Sequence, residues 1–375
     1  MKKWGSIFVL FIVTVLITGC VESSGEESNT QNNSDDEEFT LILSSGLSTQ
    51  NGWWEGYFLP WMEKVEERTD GRVKFEFYAN EELIPINEEL QALENKTIDI
   101  AAPLWPQYDP NRFPLSEVTM LPLLDSDTKI ATKAYAKLVE SDHELVDGKT
   151  FTDIEYKERD LVVFATPTTA EYVISTKDYP FETVGDFKKA SLRSPTRVHE
   201  VFASKVGIDS ISMPSTDMFD AINRGAFEGS FFSIADWTGY GMQDVFTYTL
   251  EGINLGHFAA MWAMEEDTWN DLPEDIQDIM KEASYEQIID GAQLWMDRSE
   301  DIRREAEEDG AVFDDFDNLD SEAQDLLVEG IEETWFEWIE ELEDNGHPGK
   351  EMAMLWRDLI VEEGGTVPEK VMKIE

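Results

Sequence analysis

From Phe39 onward the apolar positions switch repeatedly between a two-residue and a 3.6-residue period. Thr40-Leu41-Ile42-Leu43 is a short apolar run that predicts a first strand. Over residues 54–68, Phe58, Trp61, Met62 and Val65 recur on one helical face, and Gly71 follows as a stop. Val73, Phe75 and Phe77 alternate with charged residues, the mark of a strand with one buried face. The pattern continues as a helix over 87–94 and a strand over 97–102, then strands over 161–164 and 172–174. Ser215-Thr216-Asp217 opens a helix to about 224, with Ser or Thr as N-cap and Gly225 beyond its end. Long helical patterns cover 274–296 and 323–343. Strands alternating with helices predict an α/β fold built from βαβ units. No internal repeat is present.

The N-terminal pattern is different. Lys2 and Lys3 precede an apolar run over 7–17, and small residues lead to Cys20, the only cysteine. This order reads as a secretory signal, and the run is short for a membrane span. A cysteine after Thr18-Gly19 resembles the lipobox of bacterial lipoproteins, which implies lipidation of Cys20 as the new N-terminus. Residues 21–38 are Ser, Glu, Asn, Asp and Gln with almost nothing apolar, so they read as a flexible tether. The expected product is exported, held to the membrane by lipid alone, and free of disulfides.

Charge then narrows the partners. Lys+Arg number 29 against Asp+Glu 80, a net charge of −51. Phosphate contacts need a basic face, so nucleic acid is excluded as a partner. Self-repulsion on this scale calls for screening, which points to a saline or alkaline setting. The 375 residues suit about two domains at ~150 residues each, with 12 Trp and 21 Phe to fill their cores.

Catalytic signals are absent from the sequence. There is no Gly-rich phosphate loop and no nucleophile elbow. His143, His199, His257 and His347 have no ligand spacing. Asp314, Asp315, Asp317 and Asp320 lack the central glycine and terminal acid of a calcium loop, and read as a solvated turn. The chain therefore reads as a binding protein that is not an enzyme, with no cofactor and no metal.

Several segments converge on one family. Val65-Glu66-Glu67-Arg68-Thr69-Asp70-Gly71-Arg72-Val73-Lys74 is followed by residues 90–93, Ile98-Asp99-Ile100, Phe113-Pro114-Leu115 and Leu121-Pro122. Gly185-Asp186-Phe187, Leu192-Arg193-Ser194-Pro195, residues 221–229 and Leu272-Pro273-Glu274-Asp275-Ile276-Gln277 complete the series. In this order they resemble the solute receptors of tripartite ATP-independent periplasmic (TRAP) transporters, over residues 39 to about 283. The resemblance implies a two-lobed periplasmic-binding-protein-like fold, with hinge strands and a cleft that closes on one solute. It places one lobe at 39–163 plus 251–290 and the other at 164–250 plus 291–375. It implies capture of a small organic acid, such as a dicarboxylate, and delivery to TRAP permease subunits driven by an ion gradient.

The resemblance also nominates site residues. Arg193 matches the arginine that grips the solute carboxylate, and a guanidinium fork suits two carboxylate oxygens. Phe232 falls near an asparagine position, where it cannot donate the second hydrogen bond. Glu171 falls near a further arginine position, exchanging a cation for an anion. Trp53 and Trp105 fall on loops that line the cleft, and Ser215 joins the set. Tyr108, Trp237 and Trp262 are further candidates, and the last two fit core packing equally well. Tryptophans with Glu171 also suit a zwitterionic compatible solute held by an aromatic cage. An exported hydrolase using paired carboxylates is the reading from a different class.

Overall fold

The computed structural model describes residues 37–375; the signal segment, Cys20 and most of the tether lie outside the described residues. Eleven strands occur among them: β1 Phe39–Ser44, β2 Val73–Tyr78, β3 Ile100–Leu104, β4 Leu161–Ala165, β5 Tyr172–Thr176, β6 Ser191–Ser194, β7 Asp209–Ser212, β8 Gly229–Ser233, β9 Tyr248–Glu251, β10 Met261–Glu265 and β11 Val312–Asp315. They form two sheets, ordered β2-β1-β3-β10-β4 and β11-β9-β5-β8-β6-β7. In the first, β1 runs parallel to β2 and β3, and β10 is inserted antiparallel between β3 and β4. In the second, β6 runs parallel to β7 and β8, and β5 lies antiparallel to β8 and β9. This is the expected α/β, two-lobed architecture.

The chain passes between the sheets three times. Residues 166–171 lead from β4 to β5, and residues 252–260 return from β9 to β10. The two passages lie side by side. Thr169 N donates to Phe258 O at 2.9 Å, and Tyr172 N and Leu255 N complete the pairing at 2.9 Å each, to Gly256 O and Tyr172 O. The third passage is the Glu274–Glu308 helix, which packs along the first lobe and then approaches β11. A paired two-strand bridge resists stretching but bends at right angles to its hydrogen bonds, which suits a hinge.

Helix entry near the site follows from one proline. The pattern over 54–68 predicts one continuous helix, but Trp54–Phe58 winds as a π-helix and Leu59–Arg68 as an α-helix. Pro60 has no N–H for Gly56 O, so the regular ladder breaks there. The freed carbonyl accepts from Gln287 Nε2 at 2.8 Å, on the long helix. Gly56 also faces Gly291 across this contact. A Cβ on Gly291 would lie 3.0 Å from Gly56 O, so a side chain there would push the two elements apart.

Among the sequence-predicted elements, helix 87–94 is shorter, Glu89–Glu94, and strand 97–102 begins later, at Ile100. The reason is a turn: Thr97 N still donates to Ala92 O at 2.8 Å, closing the helix before the strand can start. The aspartates near 314–320 act as local caps, with Asp320 accepting from Ala323 N and Asp315 from Asp317 N. No helix of the described residues is long and apolar enough to cross a membrane.

Candidate ligand-binding site

Arg193 stands in the middle of β6, between Ile211 of β7 and Ser230 of β8. It is 1% exposed. Its Nε donates to Met213 O at 2.9 Å, while Nη1 is buried with no hydrogen-bond partner. No acidic side chain among the described residues pairs with it. The guanidinium carbon lies 5.9 Å from the Phe232 ring centroid. A buried cation without a counter-charge is costly unless something supplies one.

Above this guanidinium the two lobes enclose a chamber of about 20 Å³. Trp53, Ile86, Trp105 and Tyr108 come from the first lobe; Tyr172, Ser215, Phe232, Asp236 and Tyr240 come from the second. Thr169 and Phe258 come from the two bridging passages. The rings brace one another edge to face. Trp53 and Trp105 meet at 5.1 Å and 86°, Tyr172 and Phe232 at 6.1 Å and 85°, and Phe232 and Tyr240 at 5.4 Å and 77°. Both indoles are anchored by their N–H groups: Trp53 donates to Pro167 O at 2.7 Å and Trp105 to Glu89 Oε1 at 3.1 Å. Anchored rings have little side-chain freedom left to lose on binding.

Outside the chamber lies an open cleft of about 650 Å³, bounded by residues 46–48, Asn80, Glu81, Thr216, Phe219 and Gly239. Ile86 and Tyr240 line both spaces, so they form the partition between them.

Burial dominates the electrostatics. The Tyr108 phenol is raised by burial, and the nearby Arg193 charge partly offsets this. Tyr172 is pushed well above its ordinary value for the same reason. His199 sits behind Tyr172, with ring centroids 5.4 Å apart, and is lowered to about 3 by burial and by the Arg193 charge. It is therefore neutral and adds no second cation. Asp236 is raised to about 7 by burial, with the Arg298 charge opposing. Glu89 is also raised to about 7 by burial, although the Trp105 N–H favours its ionised form.

Five sequence-nominated residues line the chamber together: Trp53, Trp105, Tyr108, Ser215 and Phe232. Arg193 underlies its wall. Glu171 does not reach it. Side chains alternate from the end of the 166–171 passage into β5, so Tyr172 enters the chamber while Glu171 before it and Val173 after it face a separate acidic recess with Asp125, Glu251 and Asp315. Trp237 is buried in the second lobe, 5.3 Å from Phe246 and 5.9 Å from Phe313. Trp262 is stacked on Phe164 at 4.3 Å in the first lobe. Sequence reasoning missed Asp236, Tyr172, Tyr240 and Phe258. Asp236 is one acid among 80, but it follows the apolar run Phe231-Phe232-Ser233-Ile234-Ala235, where a lone acid is out of place.

Comparison with known proteins agrees with this fold. A solved marine metagenome TRAP solute-binding protein, described as specific for aromatic acid ligands and bound to 3-hydroxybenzoate, has a TM-score of 0.76 at 19% identity, covering 88% of this chain and 99% of that one. A TRAP solute-binding protein from Rhodoferax ferrireducens with copurified benzoate has a TM-score of 0.73 at 21% identity, covering 87% and 98%. A curated solute-binding protein of Albidiferax ferrireducens is 23% identical over 224 residues, 58% of this chain and 62% of that relative, under two thirds of its length. The family model described as bacterial extracellular solute-binding protein, family 7, matches residues 44–337, and on that match the chain belongs to this family.

Proposed function

We propose that this protein is a receptor for a small aromatic monocarboxylate, which it delivers to a TRAP permease. One observation carries the reading: the buried, unpaired Nη1 of Arg193 beneath a chamber walled by aromatic rings. A ligand carboxylate supplies the missing counter-charge, and a bidentate pair with arginine is the strong form of that contact. Once the lobes part, Trp53, Trp105, Phe232 and Phe258 offer ring surfaces to a flat solute, whereas a sugar acid would leave its hydroxyls against apolar walls. The 3-hydroxybenzoate and benzoate held by two structurally similar proteins support this class. At about 20 Å³ the chamber holds roughly one water, so entry requires the lobes to part at Ile86 and Tyr240. The paired passages 166–171 and 252–260 serve as the hinge between the lobe built on the β2-β1-β3-β10-β4 sheet and the lobe built on the β11-β9-β5-β8-β6-β7 sheet.

The test is a thermal-shift and calorimetry screen of benzoate, hydroxybenzoates, mandelate, dicarboxylates, sugar acids and zwitterionic osmolytes. A cognate ligand raises apparent stability by mass action. Stoichiometric binding of an aromatic acid without turnover is the expected result. Selective binding of a carboxylate-free solute would overturn the reading. Attachment through Cys20 is part of the proposal, and Cys20→Ser should release the protein from membranes; continued full retention would remove the anchor.

A further inference from the structure

The chamber holds a second buried charged group. Asp236 closes the short turn Ile234–Asp236 after β8 and is 7% exposed. Its carboxylate lines the chamber and, among the described residues, enters no ion pair and makes no hydrogen bond. The groups that share the chamber with it are Tyr108 from the turn after β3, Tyr172 at the start of β5 and Tyr240 from the segment after the turn, and Arg298 of the Glu274–Glu308 helix acts on its charge. Arg298 is already occupied by Glu55 and by Gln50 O at 2.9 Å, so it does not neutralise Asp236. Tyr108 and Tyr240 lie within electrostatic reach of both Arg193 and Asp236. Arg193 lies behind the Phe232 ring and Asp236 lines the chamber itself, so the two groups meet a bound solute at different points.

Resting on the carboxylate reading above, we propose that Asp236 sets specificity at the far end of the solute. The receptor selects an aromatic monocarboxylate that carries a hydrogen-bond donor, hydroxyl or ammonium, on the side of the ring remote from its carboxylate. A ring without a donor leaves this acid buried and unpartnered, a loss the donor removes. The part that the sequence assigned to Glu171 in a zwitterion site falls to Asp236. Because burial holds Asp236 near about 7, an ammonium-bearing solute competes with a proton below that pH, and its affinity falls as the pH is lowered.

Calorimetry on the full chain with benzoate, 3-methoxybenzoate, 3-hydroxybenzoate and 3-(aminomethyl)benzoate tests this. The expected result is that at least one donor-bearing acid binds about tenfold or more tightly than benzoate and 3-methoxybenzoate, a difference of about 1.4 kcal/mol. The hydroxyl and ammonium arms tell which donor is meant. Asp236→Ala should narrow that ratio to under threefold. Asp236→Asn, which keeps the shape, should abolish an ammonium preference and weaken a hydroxyl one; melting curves establish that either variant is folded. Equal binding of all four acids by the parent overturns the Asp236 assignment and leaves the carboxylate reading standing. Binding of none of them overturns both. A preference that survives within twofold in either folded variant places the selectivity elsewhere and overturns the assignment.

Discussion

Glu117 Oε2 accepts two hydrogen bonds from Arg197, from Nη2 at 2.6 Å and from Nε at 3.0 Å. Glu117 is on the Ser116–Met120 turn beyond β3, and Arg197 begins the helix after β6, so the pair ties the two sheets' surroundings together. Glu117 is fully buried, and its other oxygen has no partner. Arg197 also reaches Glu341.

Removing Arg197 therefore strands a buried carboxylate. Breaking such a pair costs ~3 kcal/mol, the low end for buried pairs, because Arg197 is itself partly exposed. Burial already raises Glu117, and Arg197 opposes the shift. In Arg197→Ala the group takes up a proton more readily, so the deficit should shrink as pH falls from 8 to 5. Urea melts across that range check it; a deficit that stays constant with pH would rule out Glu117 as the cause.

Arg193→Ala should weaken the best aromatic acid by ~2–5 kcal/mol, about 30-fold to several thousand-fold. Arg193→Lys should recover only part, since an ammonium lacks the planar fork. Without ligand, stability should change little, because the loss of the Met213 contact is offset by relief of an unpaired buried charge. Calorimetry beside melting curves separates the two effects. Binding by Arg193→Ala within twofold of the parent would take Arg193 out of the site.

Asp236 and Glu155 are each raised to about 7, above their unfolded values near 4. The folded chain therefore holds protons that the unfolded chain releases between those values. Each group's contribution is most favourable at low pH and is lost as pH rises through about 7. Ligand-free stability should fall between pH 5 and 8 even in high salt, where the net charge of −51 is screened. Asp236→Asn, with no hydrogen bond to lose, should be more stable than the parent at pH 8 by ~1 kcal/mol and no better at pH 5. A variant with the parent's full pH dependence would show that Asp236 does not titrate in this window.

Hinge closure has its own signature. Small-angle scattering with a bound aromatic acid should give a smaller radius of gyration than without it. Superimposable curves at saturation would count against motion about the passages 166–171 and 252–260.

Periodicity alone carried much of the fold. The 3.6-residue stripe through Phe58, Trp61, Met62 and Val65, and the alternation through Val73, Phe75 and Phe77, are local properties of the chain, so they are legible without the rest of it. The resemblance to TRAP solute receptors singled out Arg193, Trp53 and Trp105. What the sequence left open was set by packing between distant segments. Trp53 and Trp105 meet in a chamber while Trp237 and Trp262 fill cores, because each indole's surroundings come from other elements. The side on which an acid falls is decided in the same way. The extended chain entering β5 turns Glu171 away from the ring-lined space, and the short turn after β8 brings Asp236 into it. Spacing along one strand is a sequence property; which space a strand face meets depends on how two sheets, their bridges and one long helix enclose it.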